Sequence, residues 1–255
     1  MEQSLSVIIM AGGLGKRMNS DLPKVLHKVG PKPMLVHVIH QVEKLEPENI
    51  FVVVGKYKDI IEKTLLEYDI NNVQFVIQEE PLGTGHAIQC CVNALEDINS
   101  EYVYVLNGDN PLIQSKTLKK MLNDTNKCKI MTTLLEDQRG SGRIVVNEIS
   151  KEFEKIVEEK DCNNDEYKIK TVNAGIYLFD REVLVDNIMK LNNNNAQNEY
   201  YLTDVIEIIK DSENCVIDMY KQPPHKNYEL LGANDTVQLE QLNKIYDELF
   251  SNSEP

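Results

Sequence analysis

Long apolar runs and a basic leader are both missing from this sequence. No stretch approaches the roughly 20 apolar residues needed to span a bilayer. The N-terminal segment MEQSLSVIIMAGG contains neither a basic region nor a cleavage site. These absences predict a cytoplasmic protein with no membrane partner.

Paired cysteines and metal-type histidine spacings are missing as well. The cysteines are odd in number and scattered: Cys90, Cys91, Cys128, Cys162 and Cys215. Adjacent cysteines cannot readily pair with each other or give a zinc-binding spacing, and no histidines recur at the spacing of metal ligands. The sequence therefore predicts reduced, mostly buried thiols and argues against a zinc enzyme.

An excess of positive charge is also absent, since the formal net charge is -14. Such a surface repels nucleic acid and anionic membranes, so we expect no nucleic-acid partner, and a phosphorylated ligand requires a local cluster of cations. The 255 residues can bury one substantial core. We predict one catalytic domain over residues 1–234, followed by a C-terminal helical arm and tail over residues 235–255.

One segment, VIIMAGGLGKRMNSDLPK at residues 7–24, supplies the cations that the rest of the surface lacks. Its apolar start predicts a buried strand. The glycines that follow allow backbone N–H groups to approach anionic oxygens, as in a triphosphate site, and Lys16, Arg17 and Lys24 supply neutralising charge. The segment matches neither the P-loop nor the dinucleotide pattern G-x-G-x-x-G. Its glycines alone would also be compatible with a plain turn.

The apolar pattern predicts an α/β fold. Strand-type runs fall at residues 5–10, 50–54, 74–77, 102–106 and 130–135. Each is followed by a helix-like or turn segment, and continuous apolar strands indicate a parallel sheet covered on both faces. Ligands of such sheets gather at the carboxyl ends of the strands. We therefore expect the glycine loop, residues 78–84 and residues 107–109 to meet in one crevice.

The remaining elements are predicted from helical and alternating patterns. One helix should follow Pro33, a second should be capped by Thr84 and run through GHAIQCCVNALEDI, and a third should lie around residues 200–210. Short antiparallel strands in GSGRIVVNE, FEKIVEE and IKTVNAGIYLF predict a small sugar-binding or lid region. A last helix should begin after an Asp235 cap. It would either pack on its own domain or act as a dimerisation arm, so monomer and homodimer both stay open.

Two of the predicted strand ends carry polar residues suited to a nucleotide. Asp109, in LNGDNPL, can hold magnesium against phosphate oxygens, although an Asp-Asn pair also forms turns. Gln78 has both a donor and an acceptor, and Gly83 allows close backbone approach, which fits the edge of a nucleobase. Thr84 and Gly85 would serve equally well as the start of a helix.

Together these motifs resemble those of the sugar-1-phosphate nucleotidyltransferases. The closest resemblance is to the uridylyltransferase domain of bacterial bifunctional N-acetylglucosamine-1-phosphate uridyltransferases. It rests on AGGLGKRM, SDLPKVLH, QEEPLGTGHA, GDNPL, GSGRI, IVEEKD, VNAGIYLF and NNNNAQNEYYLTDVIE. It implies a Rossmann-like, mixed but mainly parallel sheet flanked by helices. The implied reaction joins UTP and N-acetylglucosamine 1-phosphate to give UDP-N-acetylglucosamine and pyrophosphate, by Mg²⁺-assisted in-line attack on the α-phosphorus.

The resemblance also implies roles for individual residues. The catalytic cations facing the phosphates would be Arg17 and Lys24, and the Mg²⁺ ligands would be Asp109 and Asn234. The nucleotide-binding residues would be Met10, Ala11, Gly12, Gly13, Gln78, Gly83 and Thr84. The sugar-binding residues would be Gly142, Glu158, Asn173, Tyr201 and Thr203.

The sequence departs from that family in two places. Pro81 stands where a glutamine is usual, which removes a side-chain amide and a backbone donor from the base loop and leaves base selectivity open. No hexapeptide repeat follows the helical arm, so acetyl transfer is not expected. Two alternatives remain: a uridylyl- or thymidylyltransferase acting on glucose 1-phosphate, and a noncatalytic nucleotide-sugar-binding regulatory protein.

Overall fold

The computed structural model describes residues 4–13, 15–18, 20–123 and 126–250. The side chain of Lys16, one of the predicted cations, and residues 251–255 of the predicted tail lie outside the described residues. The strands are β1 Leu5–Met10, β2 Lys28–Val29, β3 Lys32–Pro33, β4 Asn49–Val54, β5 Gln74–Ile77, β6 Tyr102–Asn107, β7 Cys128–Leu134, β8 Arg143–Val146, β9 Phe153–Val157, β10 Thr171–Asp180 and β11 Asp218–Lys221. The helices are α1 Met34–Glu43, α2 Lys58–Glu67, α3 Thr84–Gln89, α4 Val92–Glu96, α5 Ser115–Leu122, α6 Arg181–Ile188, α7 Leu202–Ser212 and α8 Thr236–Phe250.

The main sheet is mixed and mainly parallel, as predicted. Its strand order is β11-β7-β10-β6-β1-β4-β5. Strand β1 runs parallel to β4 and β6, and β4 runs parallel to β5. Strand β10 is antiparallel to both of its neighbours, β6 and β7. The parallel half therefore delivers the carboxyl ends of β1, β4, β5 and β6 to one edge.

Both faces of the central strands are buried. Along β1, Val7 and Ile9 pack with apolar residues of α1, whereas Ile8 packs with residues of α3, α6 and α7. Successive side chains of a strand point to opposite faces, so a strand covered on both sides is apolar at every position. This explains why the central strands have continuous rather than alternating apolar sequences.

A helix begins at Thr84, but the prediction of one helix capped by Thr84 and running through residues 85–98 is wrong in two respects. The chain forms two short helices, α3 and α4, separated at Cys90 and Cys91. Gly83, not Thr84, occupies the N-cap position. The Thr84 hydroxyl is engaged elsewhere, because it accepts a hydrogen bond from the Leu202 N–H at 3.1 Å. A tertiary contact thus takes the side chain that the sequence pattern assigned to a local cap.

The antiparallel region grows out of the main sheet. Strands β8 and β9 form a hairpin, and Arg143 of β8 pairs with Val172 near the start of β10. Strand β10 then continues into the sheet, with a shift of register between Asn173 and Tyr177. Strand β10 therefore connects the hairpin with the edge of the sheet at which the parallel strands end.

The C-terminal helix α8 packs on the body of the protein. The Gln238 N–H donates to Asp235 Oδ1 at 2.9 Å, which confirms the predicted cap. Leu242 and Tyr246 lie in an apolar cluster with Val29 and Met34. Within the described ranges, no helix combines the length and the apolar character needed to cross a membrane.

Candidate active site

A cleft of about 610 Å³ lies at the carboxyl ends of the parallel strands. Gly12 after β1, Gln78 after β5 and Asp109 after β6 all line it. Glu158 and Asn173, from the β9 and β10 region, line it as well. The structure therefore brings the three predicted loops and the hairpin region together around one cavity.

Three polar side chains, those of Lys24, Asp109 and Asn234, meet in one part of this cleft. The Lys24 ammonium donates hydrogen bonds to Asp109 Oδ2 and, at 3.1 Å, to Asn234 Oδ1. The side chains of Lys24 and Asp109 are each 16% exposed, so the pair is open to the cleft and screened from bulk water. Two oxygen atoms thus converge on a single cationic centre.

Glycines allow the backbone to close around this group. Gly15 has a φ of +57°, and a Cβ there would lie 2.8 Å from Lys24 Cβ. A Cβ on Gly232 would lie 3.2 Å from Asp109 Oδ2. Larger residues at either position would push the lysine or the carboxylate out of place.

The loop after β1 is only partly directed at the cleft. Met10, Gly12 and Gly13 line the cavity. Ala11 is buried, and its N–H donates to the Val53 carbonyl at 2.8 Å. Arg17 is exposed and is not among the described residues that line the cleft. Of Arg17 and Lys24, the two predicted cations whose side chains are described, Lys24 lines the cleft.

Another part of the cleft wall is organised around the Gln78 amide. Gln78 Nε2 lies 3.1 Å from the Gly83 carbonyl oxygen and 3.1 Å from His86 Nδ1. A Cβ on Gly12 would lie 3.3 Å from Gln78 Oε1, so this oxygen is directed over the glycine loop. Pro81, which departs from the family pattern, also lines the cleft.

The loop containing Gly83 is fastened to the segment before α7. Gly83 has a φ of +117°, and a Cβ there would lie 2.5 Å from the Tyr200 carbonyl oxygen. The Gly85 N–H donates to that same oxygen at 2.8 Å, and the Tyr200 N–H donates to the Leu82 carbonyl at 2.8 Å. The cleft is also lined by Glu199, Leu202 and Thr203. These backbone hydrogen bonds therefore connect two parts of the cleft wall, the loop containing Gly83 and the start of α7.

Glu158 is a polar group in the part of the cleft wall that follows β9. Its Oε1 accepts a hydrogen bond from the Thr203 hydroxyl at 3.1 Å. A Cβ on Gly142 would lie 3.3 Å from the same oxygen, so the glycine leaves room beside the carboxylate. Burial raises the pKa of Glu158, while the Thr203 hydrogen bond opposes that rise.

Asn173 is fixed by the bulge in β10. Its Nδ2 donates to the Tyr177 hydroxyl at 2.6 Å, and its Oδ1 accepts from the Gly175 N–H at 3.1 Å. Its own N–H donates to the Gly142 carbonyl at 2.9 Å. The side chain is held in one orientation on the cleft wall, as a selective binding site requires.

Tyr201 is a predicted sugar-binding residue that does not line the cleft. The Tyr201 hydroxyl donates to Asp161 Oδ2 at 3.2 Å and accepts from Gln197 Nε2 at 2.9 Å. Tyr201 is buried and is not among the described residues that line the cleft. The structure thus separates it from Thr203, which does line the cavity.

Two further polar residues of the site were assigned no role from the sequence. Asn107 lines the cleft, as expected for the segment 107–109, and its Nδ2 donates to the Gly175 carbonyl at 3.4 Å. Asn227 also lines the cleft and accepts from the Thr133 hydroxyl at 2.6 Å. It lies in a segment without a motif, and no sequence signal would have found it.

The side-chain oxygens of Asp109 and Asn234 fit the requirements of a magnesium ion. Among the described residues, no group of three or more His, Cys, Asp and Glu side chains could hold a metal ion. Asp109 and Asn234 instead offer one carboxylate and one amide oxygen, already converging on the Lys24 ammonium. Magnesium typically takes one or two protein carboxylates and completes its shell with water and substrate phosphates. Two oxygens gathered around a positive centre match that requirement.

Comparison with known proteins gives a consistent family. The model of the MobA-like NTP transferase domain matches residues 7–174. A protein of Acanthamoeba polyphaga mimivirus, described as a probable UDP-N-acetylglucosamine pyrophosphorylase, is 40% identical over 250 residues, which cover 96% of this chain and 97% of that relative. The bifunctional protein GlmU of Clostridium beijerinckii is 41% identical over 245 residues, or 93% of this chain. This chain spans only about half of that bifunctional relative, since the match covers 51% of it.

A solved structure shares the architecture. A UDP-glucose pyrophosphorylase complexed with UDP-glucose superposes with a TM-score of 0.75 at 16% identity, covering 96% of this chain and 99% of the other. At that identity the likeness concerns the fold, and it agrees with the mixed sheet and its flanking helices.

Proposed function

Because this chain belongs to the family of MobA-like NTP transferase domains, we propose that it transfers a uridylyl group from UTP to N-acetylglucosamine 1-phosphate. The products are UDP-N-acetylglucosamine and pyrophosphate. The pyrophosphorylase relative that aligns over nearly the whole chain supports this choice of substrates.

One observation carries the proposal. The Lys24 ammonium, the Asp109 carboxylate and the Asn234 amide converge in one part of a cleft whose other walls present Gln78 and Glu158. A nucleoside triphosphate and a sugar phosphate need these three features: a cationic centre, an amide for a base edge and acceptors for sugar hydroxyls.

The chemistry requires alignment more than proton transfer. The phosphate of the sugar is already ionised near neutral pH, so it attacks the α-phosphorus without a general base. One P–O bond forms, and the bond to the β-phosphate breaks with pyrophosphate leaving. Lys24 stabilises the charge at the phosphates, and Gln78 and Glu158 hold the two reactants in position. Arg17, which is exposed, is proposed to face the departing pyrophosphate.

Asp109 and Asn234 are the residues that would hold Mg²⁺. A bound magnesium ion neutralises charge on the phosphate groups and so reduces repulsion between the two anionic reactants. Glycines 15 and 232 contribute by allowing the close packing that keeps Lys24 and Asp109 in place.

We propose that the reaction takes place in the cytosol. All five cysteines are free, and Cys91 and Cys128 are buried. Thiols remain reduced in that compartment. Whether the protein acts as a monomer or a homodimer stays a prediction from the sequence.

A substrate screen tests the proposed function. Pyrophosphate release should be measured with UTP, CTP and dTTP, each paired with N-acetylglucosamine 1-phosphate, glucosamine 1-phosphate and glucose 1-phosphate. The highest kcat/KM is expected for UTP with N-acetylglucosamine 1-phosphate in the presence of Mg²⁺. Higher activity with glucose 1-phosphate would replace the sugar that we propose, and no release from any pair by folded protein would reject the function.

A further inference from the structure

The Gln78 amide has both of its hydrogens committed. Nε2 lies 3.1 Å from the Gly83 carbonyl and 3.1 Å from His86 Nδ1. A backbone carbonyl can only accept, so the nitrogen and not the oxygen of the amide must face Gly83.

The oxygen of the same amide faces the cleft. Oε1 lies over Gly12, and Gln78 is 7% exposed, so the amide has little room to move. Gln78 therefore presents an acceptor, without a donor, to a bound base. Uracil carries a hydrogen on N3, whereas cytosine has a lone pair there. If Gln78 Oε1 faces position 3 of the bound base, it attracts the N3 hydrogen of uracil and repels the N3 lone pair of cytosine in the same pose.

We infer that His86 is a positioning residue that sets this base preference by holding the Gln78 amide in its acceptor-outward orientation. The inference rests on the proposed function. His86 itself does not line the cleft. Its Nδ1 must be unprotonated to accept from Gln78, which leaves the ring proton on Nε2, 3.9 Å from Cys90 Sγ.

The surroundings of His86 fix the ring as well as the amide. Its side chain lies in α3, and the ring centroid is 6.3 Å from that of Tyr200. Tyr200 is in turn fastened to the base loop through the backbone bonds to Leu82 and Gly85. Without the acceptor on His86, one amide hydrogen of Gln78 loses its partner, and only the Gly83 carbonyl remains to hold the amide in its acceptor-outward orientation.

A matched pair of substitutions separates this role from simple packing. Asparagine and leucine have nearly the same shape, but His86→Asn keeps an acceptor where Nδ1 lies and His86→Leu does not. Both remove the ring contact with Tyr200. The ratio of kcat/KM for UTP to that for CTP should be measured for wild type and both variants, with N-acetylglucosamine 1-phosphate as the acceptor.

His86→Asn should retain the wild-type ratio within about threefold, whereas His86→Leu should lower it by about tenfold or more, because a buried donor is left unpaired. The loss should appear mainly as a higher KM for UTP. A wild-type ratio in His86→Leu, or equal losses in both variants, would overturn the inference. If His86→Leu does not fold, His86→Phe replaces it, since phenylalanine keeps the ring volume without the acceptor.

The outcome can be separated from failure of the proposed function. If the wild-type protein shows no uridylyl transfer, calorimetric dissociation constants for UTP and CTP test the same preference without catalysis. A preference for UTP that His86→Asn keeps and His86→Leu loses would support the inference. Equal affinity of the wild-type protein for the two nucleotides would reject it.

Discussion

The ammonium of Lys24 donates a hydrogen bond to the carboxylate of Asp109, joining two loops that are 85 positions apart in the sequence. Lys24 follows the glycine loop after β1, and Asp109 follows β6, the strand next to β1 in the sheet. The contact brings a cation and an anion to the same edge of the sheet. A substitution of either Lys24 or Asp109 therefore changes the net charge of this site.

Removing the charge of Asp109 should impair turnover without affecting the fold. Asp109→Asn preserves the shape of the side chain but removes the carboxylate from the proposed magnesium site, which contributes on the order of several kcal/mol to such reactions. We expect kcat to fall by about 100-fold or more. Turnover should be measured over a range of Mg²⁺ concentrations, with circular dichroism as the control for folding. Near-normal kcat at saturating Mg²⁺ would remove Asp109 from the metal site.

Substitution of Arg17 tests a residue that lies outside the cleft lining. If Arg17 acts on the departing pyrophosphate, Arg17→Ala should lower kcat by about tenfold or more, since it removes transition-state stabilisation. The KM for N-acetylglucosamine 1-phosphate should change little. Arg139→Ala is the matched control, because Arg139 is also exposed and pairs with Asp137. A change confined to sugar KM would show that Arg17 has another role.

Asp204 should make the folded state less stable at neutral pH than at acidic pH. Burial, and then the charges of Glu158, Glu207 and Asp161, raise the pKa of Asp204 to about 6. An unfolded aspartate titrates near about 3.9. Between these values the folded protein binds more protons than the unfolded chain, so the free energy of unfolding falls as the pH rises through this window. At pH values above this window, the destabilisation caused by Asp204 no longer changes with pH.

The matching experiment is Asp204→Asn followed by urea unfolding. The variant should gain about 1 kcal/mol at pH 7.5, a value reduced from the full shift because solvent partly reaches the carboxyl. The gain should shrink as the pH is lowered toward 4. Asp211→Asn, at an exposed position of the same helix, should show no such trend. A pH-independent effect of Asp204→Asn would contradict the account.

Gly83 and Gly140 offer a direct comparison of backbone strain and steric overlap. Both have positive φ, +117° and +77°, but only Gly83 has neighbours within 4 Å of an added Cβ. Its φ and ψ of 117° and 173° lie in a region open essentially to glycine alone. Gly83→Ala should therefore reduce the free energy of unfolding by about 2 kcal/mol more than Gly140→Ala. Equal losses in urea unfolding would mean that the Tyr200 contact adjusts freely.

The sequence anticipated the central sheet well, and the reason is physical. Strands β1 and β5 begin and end at the predicted residues, and the prediction for β4 differs by one residue at its start. Strands β1 and β4 are apolar because the centre of the sheet is covered on both faces, a requirement that leaves a clear local pattern. The cap of α8 at Asp235 was equally local, and it was confirmed.

Features that depend on distant contacts were harder to anticipate. Thr84 was predicted to cap a helix, yet its hydroxyl bonds to Leu202, 118 positions away. His86 belongs to the motif QEEPLGTGHA, but its contact with Gln78 follows from the turn of α3 and was not anticipated. The sequence predicted Lys24, Asp109 and Asn234 as site residues, but it did not predict the hydrogen bonds that Lys24 donates to the other two. Such contacts arise from tertiary packing, which overrides local preference.

We propose that the base, the phosphates and the sugar of the product bind together in one cleft at the edge of the sheet. The decisive measurement is a crystal structure of the protein with UDP-N-acetylglucosamine and Mg²⁺. We expect uracil beside Gln78, the metal on Asp109 and Asn234, and the sugar against Glu158 and Asn173. A product bound elsewhere, or bound with uracil at Glu158, would contradict it.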